Sequence, residues 1–431
     1  MNNIYRVRKW ETKKEISVQV PGSKSITNRA LLLAALSGKE CTLRGVLFSE
    51  DSRAFLNCLK ELGFSVNSDE KARTAVIQGM GGSIPNKRAS IHVGSAGTAA
   101  RFLTVMLAFA GGDYFLDASE QMRKRPMKPL LDALEKTGVI ITYDGEEGHF
   151  PFHLRSENLS VKELTIDTDI SSQFASALLM SGGQAEGGLR VTLSGSRTEG
   201  SYIKMTTEMM RQFGMEFQKE KDSYQLHKTD FGVEEYQIEP DVSAACYFYA
   251  MAPLLKTDVV VRGVHGASLQ GDIKFLQVLE ELGCVREEEE AGIRLKGSKV
   301  AGYQGLTVDM KDFSDQTMAM AAIAPFAKTP TLIKNIGHIR YQESDRIRAI
   351  LTELARMGIS CKEAPEDEGI YIEPGEIRNA EIETYEDHRM AMAFTLIGLK
   401  TGKIAIKNPS CCAKTFENYF DVIEELYGER K

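Results

Sequence analysis

The sequence predicts an α/β protein of two domains, each built from three βαβαββ repeats, so that six repeats make up the chain. Three observations lead to this prediction. A pattern of strand, turn, helix and strand recurs six times, and a second kind of helix precedes each recurrence. The chain also has 431 residues, which is too long for one ordinary core and favours two or three domains.

The recurring unit is a short β-branched strand, a turn, an amphipathic helix and then a glycine before another strand. Its six copies begin at Cys41, Asp113, Leu189, Asp258, Thr331 and Lys403. In the first copy, apolar residues of the helix DSRAFLNCLKELG follow helical spacing and charged residues lie between them. Such a helix should be half exposed. We call these six the outer helices.

A second element precedes each copy, namely a polar or Gly/Ser-rich turn followed by a helix of small apolar residues. The six turns begin at Gly22, Gly94, Asp169, Asp241, Asp312 and Tyr385, at intervals of about 70 to 75 residues. Segments such as LLLAALSG and AMAAIAPFA are apolar nearly all round, which predicts burial. We call these six the inner helices. Three repeats can close around a pseudo-threefold axis and bury their inner helices together.

The boundary between the two groups of three repeats should fall near residue 240, where Pro240 suits a crossing between domains. We predict one domain over residues 21–240 and a second over residues 1–20 together with 241–431. Two strands, near residues 20 and 240, would cross between them. The first crossing depends on a strand around Glu15 to Val20, which we expect to pair with the C-terminal half.

Composition excludes several classes of function. The net charge of −7 gives no global basic field for nucleic acid or an anionic membrane. No apolar run approaches the roughly 20 residues of a membrane span, and the polar N-terminal segment lacks a secretory signal, so we expect a cytoplasmic protein. Seven cysteines without a C-x-x-C pair and seven histidines without ligand spacing predict reduced thiols and no metal site.

The starts of the inner helices carry residues suited to anions. A helix N-terminus has unpaired N–H groups and a partial positive charge. Lys24 and Arg29 can neutralise a phosphate or carboxylate, and Ser25 can donate a hydrogen bond. Gly97 lets a ligand approach the backbone of its helix. The start of the third inner helix offers two hydroxyls and an amide, from Ser171, Ser172 and Gln173. Capping and solvated cations also explain these residues.

The loops before the outer helices, together with the start of the last inner helix, carry more charge. Arg125 belongs to a run of four cations between Arg123 and Lys128. Other charged side chains lie at strand-to-helix turns: Glu343, Arg346, Arg389 and Lys414. A single such turn is usually a solvated surface, but recurrence at equivalent repeat positions favours a shared anion site. Asp315 begins an inner helix, where it is either a cap or, facing Lys24 across a cleft, a general base.

The motifs resemble a known family. PGSKSITNRALLLAAL, GSAGTAARF, RKRPMKPLLDAL, SSQF, QESDRI, DHRMAM and AKTFENYF occur in this order over nearly the whole chain. They resemble the 5-enolpyruvylshikimate-3-phosphate synthase family of enolpyruvyl transferases. The related UDP-N-acetylglucosamine enolpyruvyl transferases carry a reactive cysteine in the loop equivalent to Ser119–Pro126, and this chain has none there.

The resemblance implies a fold and a reaction. The fold is an inside-out α/β barrel in each of two domains, which close on ligands bound in the cleft between them. The reaction joins phosphoenolpyruvate to the 5-hydroxyl of shikimate 3-phosphate and releases phosphate, on the route to chorismate and the aromatic amino acids. The resemblance implies a monomer that uses no cofactor and no metal.

The resemblance also implies roles for the candidate residues. Those for 3-phosphoshikimate are Lys24, Ser25, Arg29, Ser171, Ser172, Gln173, Asp315 and Gln342. Those for phosphoenolpyruvate are Lys24, Gly97, Arg125, Gln173, Arg346, Arg389 and Lys414. Proton transfer falls to Asp315 and Glu343, aided by Lys24.

Two alternatives stay open. The family commonly has Lys at the position of Gln342, and many members have Asn at the position of His338. Both positions would touch the phosphoshikimate, so an enolpyruvyl transferase for a different hydroxylated acceptor is one alternative. The other is a non-catalytic repeat protein that binds anions, against which the presence of both Asp315 and Glu343 speaks.

Overall fold

The computed structural model describes residues 3–11, 15–157, 162–169, 171–185 and 187–428. Residues 1, 2 and 12–14 of the predicted segment 1–20, and residue 170 in the third inner-helix turn, lie outside the described residues. The chain divides into two compact units. The N-terminal unit is Gly22–Glu239, and the C-terminal unit combines Met1–Pro21 with Pro240–Lys431.

Three four-stranded sheets are described in the N-terminal unit. In spatial order, the first contains Glu235–Gln237, Glu40–Arg44, Thr74–Gln78 and Val66–Asp69. The second contains Arg88–His92, Gly112–Asp117, Phe152–Ser156 and Ile140–Tyr143. The third contains Glu163–Asp167, Leu189–Ser194, Ser223–Leu226 and Phe217–Glu220. In each sheet the first two strands are parallel and the other pairs are antiparallel.

The described part of the C-terminal unit repeats this pattern. Its first sheet contains Ile16–Val18, Asp258–Arg262, Gly292–Lys296 and Val285–Glu289. Its second contains Thr307–Asp309, Thr331–Lys334, Gly369–Ile372 and Cys361–Ala364. A three-stranded sheet contains Ala380–Ile382, Ile404–Lys407 and Ile4–Arg6. In both units, therefore, a strand distant in sequence completes the first sheet, because Ile16–Val18 joins Asp258–Arg262 and Glu235–Gln237 joins Glu40–Arg44.

The inner helices form the centre of each unit. They are Lys24–Leu36, Gly97–Ala110 and Ser172–Ser181 in one unit, and Val242–Leu255, Thr317–Ile323 and His388–Thr401 in the other. The three helices of each set contact one another, and the first is buried continuously from Ile26 to Leu36. Each large apolar side chain buried there stabilises the fold by about 1.5–3 kcal/mol. The predicted burial of these helices is confirmed.

The outer helices cover the sheets with one face. They are Glu50–Glu61, Lys128–Glu135, Ser201–Gln212, Phe275–Glu281, Arg346–Arg356 and Tyr419–Tyr427. In the first, Phe55, Leu56 and Leu59 are buried while Lys60 is exposed, as its amphipathic spacing predicts. The α/β class and the sixfold repetition predicted from the sequence are confirmed.

Shorter helical segments connect these elements. One is the α-helical turn Glu120–Arg123. The 3-10 segments are Gly182–Gln184, Gly271–Lys274, Lys311–Gln316, Ala324–Phe326, Gly337–Tyr341, Pro365–Asp367 and Pro409–Lys414. Among all the helices described, none has both the length and the apolar character needed to cross a membrane.

Candidate active site

Asp315 accepts hydrogen bonds from two arginines in the C-terminal unit. It lies in the 3-10 turn Lys311–Gln316, directly before its inner helix. Its Oδ1 accepts a hydrogen bond from Arg346 Nη1 at 3.0 Å, and its Oδ2 accepts one from Arg389 Nη2 at 2.9 Å. Arg346 Nη1 also donates to Gln342 Oε1. The structure thus brings together four predicted site residues from three separate segments of the sequence.

Asp387 binds the side chain of Arg346 and the backbone N–H of Arg389. Its Oδ2 accepts from Arg346 Nε at 2.8 Å, and its Oδ1 caps the last inner helix by accepting from Arg389 N at 2.9 Å. Asp387 is fully buried. Burial raises its pKa, but the charge and hydrogen bond of Arg346 together with His388 hold the pKa below its ordinary value.

Sequence reasoning did not select Asp387, although a signal was present. Asp387 begins DHRMAM and Asp315 begins DQTMAM, so the two carboxylates occupy equivalent positions of successive repeats. An alignment of the repeats with one another would have identified Asp387 as the counterpart of Asp315.

Glu343 lies between an imidazole and an ammonium group. Its Oε2 is 3.2 Å from His388 Nδ1 and 3.8 Å from Lys414 Nζ. The Glu343 and Lys414 side chains are only 16% and 10% exposed, so their charges interact strongly. A carboxylate beside an imidazole and an ammonium can pass protons in either direction. Sequence reasoning missed His388.

Glu343, Asp387 and His388 have the spacing of a metal site, with one ligand atom from each within 4.8 Å of the others. Two cations of the chain already balance the charge of these carboxylates, because Arg346 donates a hydrogen bond to Asp387 and Lys414 lies close to Glu343. A divalent ion there would lie beside a buried guanidinium, whose charge would repel it. The trio is therefore better explained as part of a proton-transfer group.

In the N-terminal unit, Lys24 forms an ion pair with Asp51. The Lys24 Nζ is 2.5 Å from Asp51 Oδ2, and the two side chains are 17% and 3% exposed. Lys24 begins the first inner helix, whose N-cap is Ser23. Asp51 lies in the first turn of the neighbouring outer helix. An acidic residue in the first turn of a helix is common because it interacts favourably with the helix dipole, so its pairing with Lys24 could not be predicted from the sequence.

Arg29 is buried, and side chains and a backbone carbonyl of its own unit accept hydrogen bonds from it. Its Nε donates to Thr206 Oγ1 at 2.8 Å, its Nη2 to Ser176 Oγ at 3.2 Å, and its Nη1 to the Ser25 carbonyl at 3.0 Å. It is 2% exposed, and burial lowers its pKa to about 10. Its side chain links two inner helices and the outer helix Ser201–Gln212. The structure does not place Arg29 as an open ligand contact.

Two guanidinium groups lie against the start of the second inner helix. A Cβ atom at Gly97 would be 2.5 Å from Arg125 Nη1 and 2.6 Å from Arg101 Nη1. Arg101 Nη1 donates to the Gly97 carbonyl at 2.9 Å, and burial together with nearby Arg125 lowers the pKa of Arg101. Two neighbouring cations at a helix N-terminus favour an anion. By contrast, Arg123 and Lys128 form exposed ion pairs.

The third inner helix begins with the N-cap Ser171, followed by Gln173, whose side-chain oxygen can accept a hydrogen bond from a ligand. Ser171 Oγ accepts a hydrogen bond from Gln173 N at 3.3 Å, so Ser171 acts as the N-cap. Gln173 Oε1 is buried and has no hydrogen-bond partner among the described residues. Buried carbonyl oxygens of this kind are uncommon in folded proteins, and a ligand hydroxyl would satisfy this one.

The fold and these sites define a class: an α/β repeat enzyme that gathers cations and carboxylates to transfer a group between anionic substrates. The family model of EPSP synthase (3-phosphoshikimate 1-carboxyvinyltransferase) matches residues 11–423, and the chain belongs to that family. The predicted enzyme class is thereby confirmed.

Individual relatives agree with this assignment. A 3-phosphoshikimate 1-carboxyvinyltransferase of Trichormus variabilis is 41% identical over 418 residues, covering 96% of this chain and 97% of that protein. A protein of Halalkalibacterium halodurans named 3-phosphoshikimate 1-carboxyvinyltransferase 2 is 36% identical over 416 residues, covering 95% and 91%. The solved EPSP synthase of Acinetobacter baumannii is 26% identical, with a TM-score of 0.80 over 98% of each chain.

Proposed function

We propose that the chain transfers the carboxyvinyl group of phosphoenolpyruvate to the 5-hydroxyl of shikimate 3-phosphate, releasing phosphate, in aromatic amino-acid biosynthesis. The observation that carries this proposal is the cluster of Asp315, Arg346 and Arg389 beside Glu343 and Lys414. It combines three cations, which suit a carboxylate and a phosphate, with two carboxylates for proton transfer. Membership of the family supports the choice of substrates.

Phosphoenolpyruvate would be held by charge-assisted hydrogen bonds. Arg346, Arg389 and Lys414 supply donors from the C-terminal unit, and Arg125 supplies them beside Gly97. Lys24 and the amide of Gln173 complete the proposed set. Donors fixed before the reaction stabilise the charge that develops on the phosphate without having to reorganise. Arg346 is already fixed by two carboxylates, Asp315 and Asp387.

The proton steps fall to the two carboxylates. As the 5-hydroxyl oxygen bonds to C2 of phosphoenolpyruvate, Asp315 takes the hydroxyl proton and Glu343 gives a proton to the methylene carbon. The tetrahedral adduct then loses phosphate through cleavage of the bond between C2 and the phosphate oxygen. Asp315 returns its proton to the departing phosphate, and Glu343 recovers a proton from the methyl group. Each oxygen of Asp315 has a second lone pair, so it can accept the substrate hydroxyl while bonded to an arginine.

The 3-phosphoshikimate would bind chiefly through the first and third inner-helix starts. Lys24, Ser25, Ser171, Ser172 and Gln173 offer cationic, hydroxyl and amide groups there. We add Gln342 to this group because Arg346 donates hydrogen bonds to both Gln342 and Asp315. Arg29 supports this group indirectly, because it holds the carbonyl of Ser25 at 3.0 Å.

The test is an assay of phosphate release. The purified protein receives phosphoenolpyruvate with shikimate 3-phosphate, and nuclear magnetic resonance identifies the carboxyvinyl ether. Unphosphorylated shikimate is the substrate control. The Asp315→Asn variant should lose turnover, whereas Arg123→Ala, which removes an exposed ion pair, should retain it. Absence of phosphate release from a folded sample would contradict the proposal.

A different hydroxylated acceptor is the second candidate function. Gln342 is bonded to Arg346, and His338 Nε2 is 2.8 Å from Ser314 Oγ. Both side chains that depart from the family pattern are therefore engaged within the protein, where a Lys at position 342 would instead repel Arg346. Competition experiments decide between the candidates: an acceptor that excludes shikimate 3-phosphate at equal concentration would favour the second.

The monomeric state and cytoplasmic location belong to the same proposal. Sedimentation equilibrium should return a mass near 47.8 kDa, with or without substrates. Fractionation of the source cells should recover the activity in the cytosol. A stable larger mass or activity confined to another fraction would contradict these parts alone.

A further inference from the structure

Asp272 is a buried carboxylate that neither the substrates nor the proton steps described above require. It lies in the 3-10 turn Gly271–Lys274 and is 6% exposed. Its Oδ2 accepts a hydrogen bond from Ser243 Oγ, at the start of the inner helix Val242–Leu255. The adjacent Gln270 connects the same turn to the start of this helix. Its Oε1 accepts a hydrogen bond from Val242 N at 2.9 Å, and its Nε2 donates one to the Pro240 carbonyl at 2.8 Å.

This turn also contacts the 3-10 turn that carries Asp315. The segments Gly271–Lys274 and Lys311–Gln316 pack together, and Lys274 Nζ is 2.6 Å from Asp312 Oδ2. Asp272 is therefore held between the start of one inner helix and the turn that presents the proposed general base. Asp272 and Asp315 thus lie on two turns of one unit that pack against each other.

Several titratable or charged groups face Asp272. Burial and the charge of Asp315 raise the pKa of Asp272 to about 6, Arg389 and the hydrogen bond from Ser243 lower it, and Asp241 raises it. Cys246 of the same inner helix also contacts this residue, because its thiol donates to the Asp272 carbonyl at 3.5 Å. Burial, then Asp272, raise the pKa of this thiol, so it stays protonated and adds no charge.

Asp315 alone is poorly suited to its proposed task. Two guanidinium groups bond its two oxygens, and both stabilise the ionised carboxylate. A carboxylate stabilised in this way holds a proton weakly, whereas a general base works best when its proton affinity matches the working pH. A further negative charge close to Asp315 and Arg389 would offset part of that stabilisation.

We propose that Asp272 is a positioning residue whose negative charge shares Arg389 with Asp315 and keeps Asp315 basic enough to accept the hydroxyl proton. The proposal rests on the proposed function. Asp272 does not touch either substrate; it acts through Arg389 and Asp315. Its contribution belongs to kcat, because it changes the strength of the base and leaves the number of cations around phosphoenolpyruvate unchanged.

The test compares the Asp272→Asn variant with the wild type between pH 5 and pH 9. We expect kcat near pH 7.5 to fall about tenfold, the effect of roughly one pKa unit at the base. The KM for phosphoenolpyruvate should stay constant or fall, because Arg389 loses a competing carboxylate. In the wild type, kcat should fall as the pH drops through about 6, because Asp272 takes up a proton there. The variant should lack this step.

Two further variants separate this role from a structural one. Glu353→Gln removes another buried carboxylate of the same unit, which accepts from Tyr385 Oη at 2.7 Å and Glu383 N at 3.3 Å. It should lower stability and leave the pH profile unchanged. Ser243→Ala keeps the charge of Asp272 but removes a donor to it, so the step near pH 6 should move to higher pH. This variant also tests the proposal if Asp272→Asn does not fold.

The outcomes are distinct. A pH profile of Asp272→Asn that superimposes on the wild type would overturn the proposal, as would a Ser243→Ala step that does not move. A loss of kcat that only parallels the loss of unfolding free energy, as in Glu353→Gln, would assign Asp272 a structural role and also overturn it. If the wild type itself releases no phosphate, the proposed function fails instead.

Discussion

At the scale of single residues, most cations of the candidate site are paired with a carboxylate. Lys24 is held by Asp51, and Arg346 by Asp315 and Asp387. Such pairing orients a long side chain and offsets its cost of burial. An arriving anion then finds its donors in place, and its charge replaces part of what the carboxylates supplied. Gly97 leaves the space for Arg125 to take part.

The Gly97→Ala variant should bind phosphoenolpyruvate more weakly. Its Cβ would lie 2.5 Å from Arg125 Nη1, and the flexible end of that side chain can move away. We expect the KM for phosphoenolpyruvate to rise about tenfold, equivalent to about 1.4 kcal/mol of binding, with kcat changed less. Steady-state kinetics and thermal unfolding check this. A drop in melting temperature without a change in KM would contradict it.

The Glu343→Gln variant should lose turnover and keep its stability. The amide cannot exchange protons with the substrate, so kcat should fall about a hundredfold or more, while the unfolding free energy should change by less than about 1 kcal/mol. Lys24→Ala should behave similarly but also raise the KM. Urea denaturation and phosphate release measure both quantities. Glu363→Gln, in an exposed pair with Arg340, is the matched control and should change neither.

At the scale of elements, five of the six inner helices carry a proposed ligand or proton-transfer residue at their start, while their bodies are buried. The last inner helix illustrates this, because Asp387 both caps the helix and holds Arg346. A capping residue satisfies the orphan N–H groups that any helix start exposes. Here the same carboxylate fixes a donor from a different element, so local helix chemistry and ligand binding depend on one group.

Replacing Asp387 should therefore cost far more than replacing an ordinary cap. Asp387→Asn can still accept from Arg389 N but leaves the buried Arg346 with less negative charge, and we expect a loss of about 3 kcal/mol. The matched control is Asp345→Asn, because Asp345 caps the outer helix Arg346–Arg356 from an exposed position. It should cost less than about 1 kcal/mol. Equal losses in urea denaturation would contradict the special role of Asp387.

At the scale of the whole molecule, substrate attraction is local. The net charge of −7 repels anions at long range, whereas Arg346 and Lys414 are nearly buried. Buried charges are screened much less by salt than exposed ones. We expect the KM for phosphoenolpyruvate to rise by less than about fivefold between 0.05 and 0.5 M KCl.

Steady-state kinetics over that salt range test this prediction. Lys124 is exposed and belongs to neither proposed ligand site, so Lys124→Ala should leave the salt dependence unchanged. A much steeper rise in KM, or one abolished by Lys124→Ala, would show instead that exposed cations dominate binding.

The sequence by itself determined the repeated architecture, the identity of the inner and outer helices, and the candidate residues at their starts. These features depend on short segments of the sequence, because the spacing of apolar residues predicts which helix face is buried and characteristic turn residues mark the helix starts. Lys24, Gly97, Arg125, Asp315, Glu343, Arg346, Arg389 and Lys414 could all be selected in this way. The family motifs added the substrates.

Only the tertiary structure decided which charges meet. Asp387 lies 41 positions from the arginine that it holds, and the spacing of two residues in the chain does not encode such a pairing. The structure also buried Arg29 and placed Asp272 beside the turn of Asp315. The physical reason is that a buried charge must be balanced by whichever group the fold brings next to it. That neighbour depends on the packing of several repeats, which no single segment of the sequence specifies.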